Sequence, residues 1–261
     1  MIRAIAHPTD FSAEGRSAFD HALALALHHR ARLDLLHVGA PGAEGDWQRF
    51  PRVRARLAEW GRLPAGSEPG EVARLTGVEV RKIELHAKDP AEALGTFLAD
   101  HHPDLVVMAS HGRTGIARLL QGSVTAQVAQ DSQTAMLLFG RHSVGFVDSA
   151  TGTLCPGRVL VPVDHQPLAE TVLDPLEAIL AGLGAQLDGL HVGTAAPALD
   201  GLTVRLASGG AVETILAEAD GAGLIAMPTA GRHGLRDALL GSTVERVLAV
   251  AKVPVLALPA G

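Results

Sequence analysis

The feature that most constrains this chain is that it is written twice. "IAHPTD", ending at Asp10, returns as "VLVPVD", ending at Asp164, and "LDLLHVG" at 33–39 returns as "LDGLHVG" at 187–193. Both pairs are offset by 154 residues. "HGRTGIARLLQGS" at 111–123 returns as "AGRHGLRDALLGS" at 230–242, offset by only 119. Self-similarity of this kind means two copies of one structural plan. The unequal offsets place a deletion of about 35 residues in the second copy, between its second strand and its glycine-rich segment.

Within each copy, short apolar runs alternate with helical patterns. In the first, strands are expected near 3–8, 33–38, 79–85, 104–109 and 134–139, and helices near 13–30, 47–63, 90–101 and 122–131. "DPAE" at 89–92 starts a helix well: Asp89 caps, Pro90 suits the first turn and Glu92 completes a capping box. The second copy reads as strands near 158–163, 186–192, 202–207, 223–227 and 253–258. It has only "TAAPALDG" where the first has the amphipathic "WQRFPRVRARLAEWGRL", so one helix is expected to be missing. Alternating β and α elements imply α/β architecture, with parallel strands and helices on both faces. Two open five-stranded parallel sheets are expected, one over 1–141 and one over 157–261. "RHSVGFVDSATGTLCPG" (141–157), without periodicity, is the expected connector.

Composition removes several classes of function. A hydrophobic fraction of 47% in 261 residues supplies ample core. No apolar run reaches the roughly 18 residues that span a bilayer, so no membrane association is expected. The formal charge of −6 and an aromatic fraction of 3%, with no tyrosine, argue against a nucleic-acid binder. The single cysteine, Cys155, permits no intrachain disulfide, which suits a cytoplasmic protein.

The chemistry concentrates in "MASHGRTGIARLLQGS" (108–123), between a strand and a helix. A helix N-terminus offers unpaired N–H groups and about half a positive charge, both suited to phosphate. Gly122 allows close backbone approach, Ser123 adds a hydroxyl, Gly112 permits φ > 0, and His111 and Arg113 bring basic side chains. The plainer reading is that these glycines make tight turns and let helix pack on strand. The segment is neither a Walker loop nor a dinucleotide fingerprint. Thirteen histidines raise the question of a metal, and His7, His37, His86 and His111 all fall near strand ends. No H-x-x-x-H or C-x-x-C spacing supports one, and no metal site is expected. No catalytic residue is assigned: no lysine lies in either glycine segment, and no arginine-and-carboxylate pair is evident for phosphoryl transfer.

The spacing Ala109-x-x-Gly112, nine residues, Gly122-Ser123, together with "HPTDFS" (7–12) and "LLHV" (35–38), resembles the universal stress protein family, over both halves. The resemblance implies a flavodoxin-like or adenine-nucleotide-hydrolase-like fold in tandem, with ATP, accompanied by Mg²⁺, held across the strand ends of the first copy. It would set Pro8, Thr9 and Asp10 beside adenine and ribose, and Val38 and Met108 against adenine. His111, Gly112, Gly122, Ser123, Val124 and Thr125 would surround ribose and phosphates, with Arg113 in the same segment. Ala109 departs from the family's glycine. The second copy departs further, with Pro228, Ala230 and Asp237 at positions matching Ala109, His111 and Arg118. The implied function is an ATP-binding stress-response module. A protein-interaction module without nucleotide and a slow ATPase are the alternatives. The resemblance also implies an intrachain pseudo-dimer through the fifth strands, "TAMLLFG" (134–140) and "VPVLALP" (253–259), with a homodimer and an unknown protein partner left open.

Overall fold

The computed structural model describes residues 1–12, 15–42, 48–110, 134–165, 170–229 and 242–259. The first half contributes β1 (Ala4–Pro8), α1 (Arg16–His29), β2 (Arg32–Gly39), α2 (Val53–Glu59), α3 (Pro69–Thr76), β3 (Val80–His86), α4 (Pro90–His101), β4 (Leu105–Ala109) and β5 (Ala135–Phe139). The second contributes β6 (Arg158–Pro162), α5 (Glu170–Leu180), β7 (Gln186–Val192), β8 (Val204–Ala207), α6 (Ala211–Glu218), β9 (Leu224–Thr229), α7 (Ser242–Val250) and β10 (Val255–Pro259). No described helix is long and apolar enough to cross a membrane.

Each expected strand is present. The helix expected at 47–63 is the shorter α2, and a separate α3 follows it, because "WGRLPAGSE" (60–68) between them carries Pro64 and two glycines, Gly61 and Gly66, at positive φ. The reciprocal capping box forms on α3, between Glu68 and Glu71, rather than on α4, where Asp89 accepts from the Ala91 N–H at 2.9 Å. Among the described residues, no helix separates β7 from β8, as the deletion predicted.

The two expected five-stranded sheets are joined into one by the expected pairing of their fifth strands. There is one ten-stranded sheet, ordered β3-β2-β1-β4-β5-β10-β9-β6-β7-β8. Each half supplies five parallel strands in the same order. The halves join where β5 and β10 pair antiparallel, Leu137 opposite Leu256. The physical reason is the edge: two wholly apolar fifth strands would each expose a row of unpaired N–H and C=O groups, and pairing satisfies both. Both faces of the central strands are buried, which is why β1, β4, β5, β6, β9 and β10 read as near-continuous apolar runs, whereas the edge strands β3 and β8 are only partly buried and carry charged residues. One face packs against α1, α2, α3 and α5, the other against α4, α6 and α7, and each core draws residues from both halves.

The connector is built into the fold. His21, buried in α1, donates from Nδ1 to the Ser17 carbonyl at 2.7 Å. Its Nε2 accepts from the Phe146 and Val147 N–H groups at 2.8 and 3.1 Å. The Trp60 indole donates to the Ser149 carbonyl at 3.1 Å. Gly145 lies against the His21 ring and Gly152, at φ 69°, against the Trp60 ring, each too close for a Cβ. The two helices α1 and α5 also meet end to end. His28 donates to the Ala181 carbonyl and His29 to the Ile179 carbonyl, at 2.7 and 3.0 Å. Both carbonyls belong to the other half.

Candidate functional site

In an open α/β sheet, ligands sit beyond the carboxyl ends of the strands where strand order reverses. In the first half that point lies between β1 and β4. The β1–β4 ladder stops after Ile5↔Leu105 and Ala6↔Val106, although the strands continue to Pro8 and Ala109. The strands therefore part at their carboxyl ends. Six sequence-predicted residues stand around the opening: Pro8, Thr9 and Asp10 leave β1, Met108 and Ala109 end β4, and Val38 stands near the end of β2. Met108 is buried, and the other five are partly exposed. The β1–β2 ladder ends at Pro8↔Leu36, so Val38 runs past β1 while staying paired with Leu85. His111, Gly112, Arg113, Gly122, Ser123, Val124 and Thr125 lie outside the described residues.

The turn after β1 is held in several ways. The Thr9 N–H donates to the Leu36 carbonyl at 2.8 Å. The His37 Nδ1 donates to the Thr9 carbonyl at 2.9 Å. Asp10 Oδ1 accepts from the Ser12 N–H at 2.9 Å, and Thr9 Oγ1 accepts from the Phe11 N–H at 3.2 Å. Phe11 takes φ 61°, a strained conformation for a residue with a Cβ. Its ring stacks on His37 at 4.0 Å, touches Phe50 at 5.1 Å and lies under the Arg49 guanidinium. His37 is thus a support of the candidate site. Among the described residues no three His, Cys, Asp or Glu side chains could hold a metal ion.

The second half repeats the backbone device and changes the chemistry. Val163 N–H donates to the Leu190 carbonyl at 2.8 Å, and His191 Nδ1 donates to the Val163 carbonyl at 3.0 Å. The histidine of "LLHV" and "GLHV" therefore holds the turn after the first strand of each half. That repeated letter was the available signal for this role. Asp164, the counterpart of Asp10, has a side chain 70% exposed and accepts from the adjacent His165 N–H. Pro228 stands in β9 opposite Leu258, where the sequence repeat aligns it with Ala109. Ala230 and Asp237 lie outside the described residues.

What the described residues offer chemically is a carboxylate at the mouth of an opening in the sheet, apolar walls from Val38 and Met108, and a rigid turn beneath. That fits a nucleoside: hydroxyls for the carboxylate and a flat apolar base for the walls.

The family model described as "Universal stress protein family" matches residues 1–139 and 195–259. Universal stress protein MJ0531 of Methanocaldococcus jannaschii is 29% identical over 145 residues, which cover 53% of this chain and 82% of that protein. Universal stress protein MJ0577 of the same organism is 26% identical over 160 residues, covering 55% of this chain and 98% of that protein. The crystal structure of a universal stress protein from Archaeoglobus fulgidus superposes over 99% of this chain and 97% of its own, at a TM-score of 0.62 and 21% identity. It shares the fold over nearly the whole length.

Proposed function

The chain belongs to the universal stress protein family, and from that footing we propose that it is an ATP-binding stress-response module with its nucleotide in the first half's crevice. Residues 1–141 and 157–261 are its two domains, the second a degenerate copy. The observation that carries this reading is the parting of β1 and β4 at the switch point, with Asp10, Val38 and Met108 around it. Asp10 would take ribose hydroxyls, and Pro8, Thr9, Val38, Met108 and Ala109 would enclose adenine and ribose. His111, Gly112, Arg113, Gly122, Ser123, Val124 and Thr125 enter on sequence grounds alone, as ligands of ribose and of phosphates carrying Mg²⁺. Backbone N–H groups at a helix start supply what such phosphates need. The compartment is the cytoplasm, in keeping with one free cysteine.

The second half is proposed to bind nucleotide poorly or not at all. Pro228 has no N–H and a fixed φ, Asp164 is largely exposed, and the Asp237 charge opposes phosphate. Titration calorimetry on nucleotide-free protein should give close to one ATP per chain. Gly122→Val should abolish binding while circular dichroism shows the fold intact. Two equivalent sites, or binding that survives Gly122→Val, would overturn the assignment. Protein that neither carries nor binds nucleotide is the interaction module instead, and steady phosphate release from ATP and Mg²⁺ identifies a slow ATPase.

A further inference from the structure

His7 is the penultimate residue of β1, one position below Pro8, and is 1% exposed. Its Nδ1 donates to the Val107 carbonyl at 2.8 Å, one position below Met108. That side-chain bond lies just beyond the last β1–β4 ladder pair, where the two strands part. It crosses the floor of the opening. With the proton on Nδ1, Nε2 is a lone-pair acceptor, and it is buried with no hydrogen-bond partner among the described residues. Phe19, in the first turn of α1, packs on the ring at 5.9 Å. Burial pushes the imidazole pKa down to about 4, so the ring is neutral at physiological pH; the Asp10 charge, which acts in the opposite sense, reaches it from the mouth of the opening. The hydroxyl oxygen of Ser12, at the other end of the same turn, is likewise buried and without a partner among the described residues.

An orphaned buried acceptor is destabilising and calls for an explanation. The fold does not supply one. In the second half the ladder also stops after two pairs, Val159↔Leu224 and Leu160↔Ile225. The residue aligned with His7 there is Val161, fully buried in the core. The same architecture is thus built with valine at this position. The imidazole distinguishes the half whose crevice is the proposed nucleotide site.

We propose that His7 is a ligand-positioning residue of the first crevice, its Nε2 accepting a hydrogen bond from an O–H donor that arrives with the nucleotide, a ribose hydroxyl or a water it holds. This rests on the reading of the crevice as a nucleotide site. The test uses the full chain, wild type and with His7→Val or His7→Gln. His7→Val, which installs the second half's own residue, should remain folded and bind ATP roughly three- to tenfold more weakly, one hydrogen bond's worth. His7→Gln, which retains a donor and an acceptor, should recover part of that loss. In wild-type protein labelled with ¹⁵N-histidine, the His7 Nε2 resonance should shift on adding ATP and stay in place on adding inorganic phosphate. Repeating the titrations with 2′-deoxy-ATP and 3′-deoxy-ATP separates the two donors. A deoxy effect that vanishes in His7→Val identifies the hydroxyl as the direct donor, and additive effects identify a water. Unchanged ATP affinity in His7→Val, or an Nε2 resonance unmoved by bound ATP, overturns the proposal while leaving the nucleotide site standing. Wild-type protein that binds no ATP removes the nucleotide site and this inference together.

Discussion

His7 and His21 are both held neutral by burial, each with its pKa pushed down to about 4. Their partners fix the tautomer: in each ring Nδ1 donates to a carbonyl, leaving Nε2 without a proton. For His21 that nitrogen is the double acceptor that anchors the connector, so protonation removes both bonds at once. The direction of the pH effect follows. The unfolded chain binds protons below about pH 6.5 and the folded chain only near pH 4, so these residues' stability is complete above 6.5 and is lost as pH falls toward 4. Each contributes about 3 kcal/mol at full extent, of which about 2 kcal/mol is gone by pH 5. Urea unfolding at pH 7.5 and pH 5 should show this loss, and His21→Phe should shrink it by about half. An unfolding free energy independent of pH across that range would contradict the neutral assignment.

Elements are tied at their amino ends by carboxylates set against arginines. Asp34 of β2, its side chain fully buried, is bonded by Arg81 of β3 at 2.7 and 2.9 Å and by Arg32 at 3.1 Å. Asp188 of β7 repeats the device with Arg205 of β8 at 2.9 Å and Arg158 of β6 at 2.7 Å, but is 24% exposed. A buried charge stripped of a partner is costly, whereas an exposed one is rehydrated. Arg81→Ala should therefore destabilise by about 3 kcal/mol, and Arg205→Ala by about 1 kcal/mol, in chemical denaturation. Equal effects would mean that solvent reaches Asp34. The repeated Asp was visible in "LDLLHVG" and "LDGLHVG", but its arginines were not. They come from different positions in each half: Arg32 lies on the same strand as Asp34, whereas Arg81, Arg205 and Arg158 reach their carboxylate across strand pairs.

At the scale of the molecule, the seam between β5 and β10 uses the strand edges through which two separate copies could pair. The outer strands of the continuous sheet are β3 and β8. The full polypeptide should sediment as a monomer near 27.1 kDa. Expressed as two pieces, 1–155 and 156–261, it should recombine one to one. The first piece alone should self-associate, because β5 is then an open apolar edge. Pieces that stay apart, with the first piece monomeric, would show that the seam is not what holds the halves. The connector adds to the join: Val144 N–H donates to the Lys252 carbonyl at 2.7 Å, and Ser143 Oγ donates to the Val253 carbonyl at 3.1 Å.

The sequence by itself determined the two-copy plan, the strands and their apolar runs, the missing helix and the set of residues around the first switch point. These are local or periodic properties: the spacing of apolar residues, a repeated string, a glycine or proline where a turn must fall. It did not determine the antiparallel register of the seam, that "RHSVGFVDSATGTLCPG" is docked rather than slack, or what the histidines do. His7, His21, His28 and His37 look alike as letters. One braces the parting strands, one anchors the connector, one joins two helix ends and one holds a turn. Each role depends on a carbonyl or N–H group brought close by the fold from as far as 153 residues away. A buried imidazole's protonation state, and so its chemistry, is set by that partner and by the solvent excluded around it. Both exist only once the tertiary structure has formed.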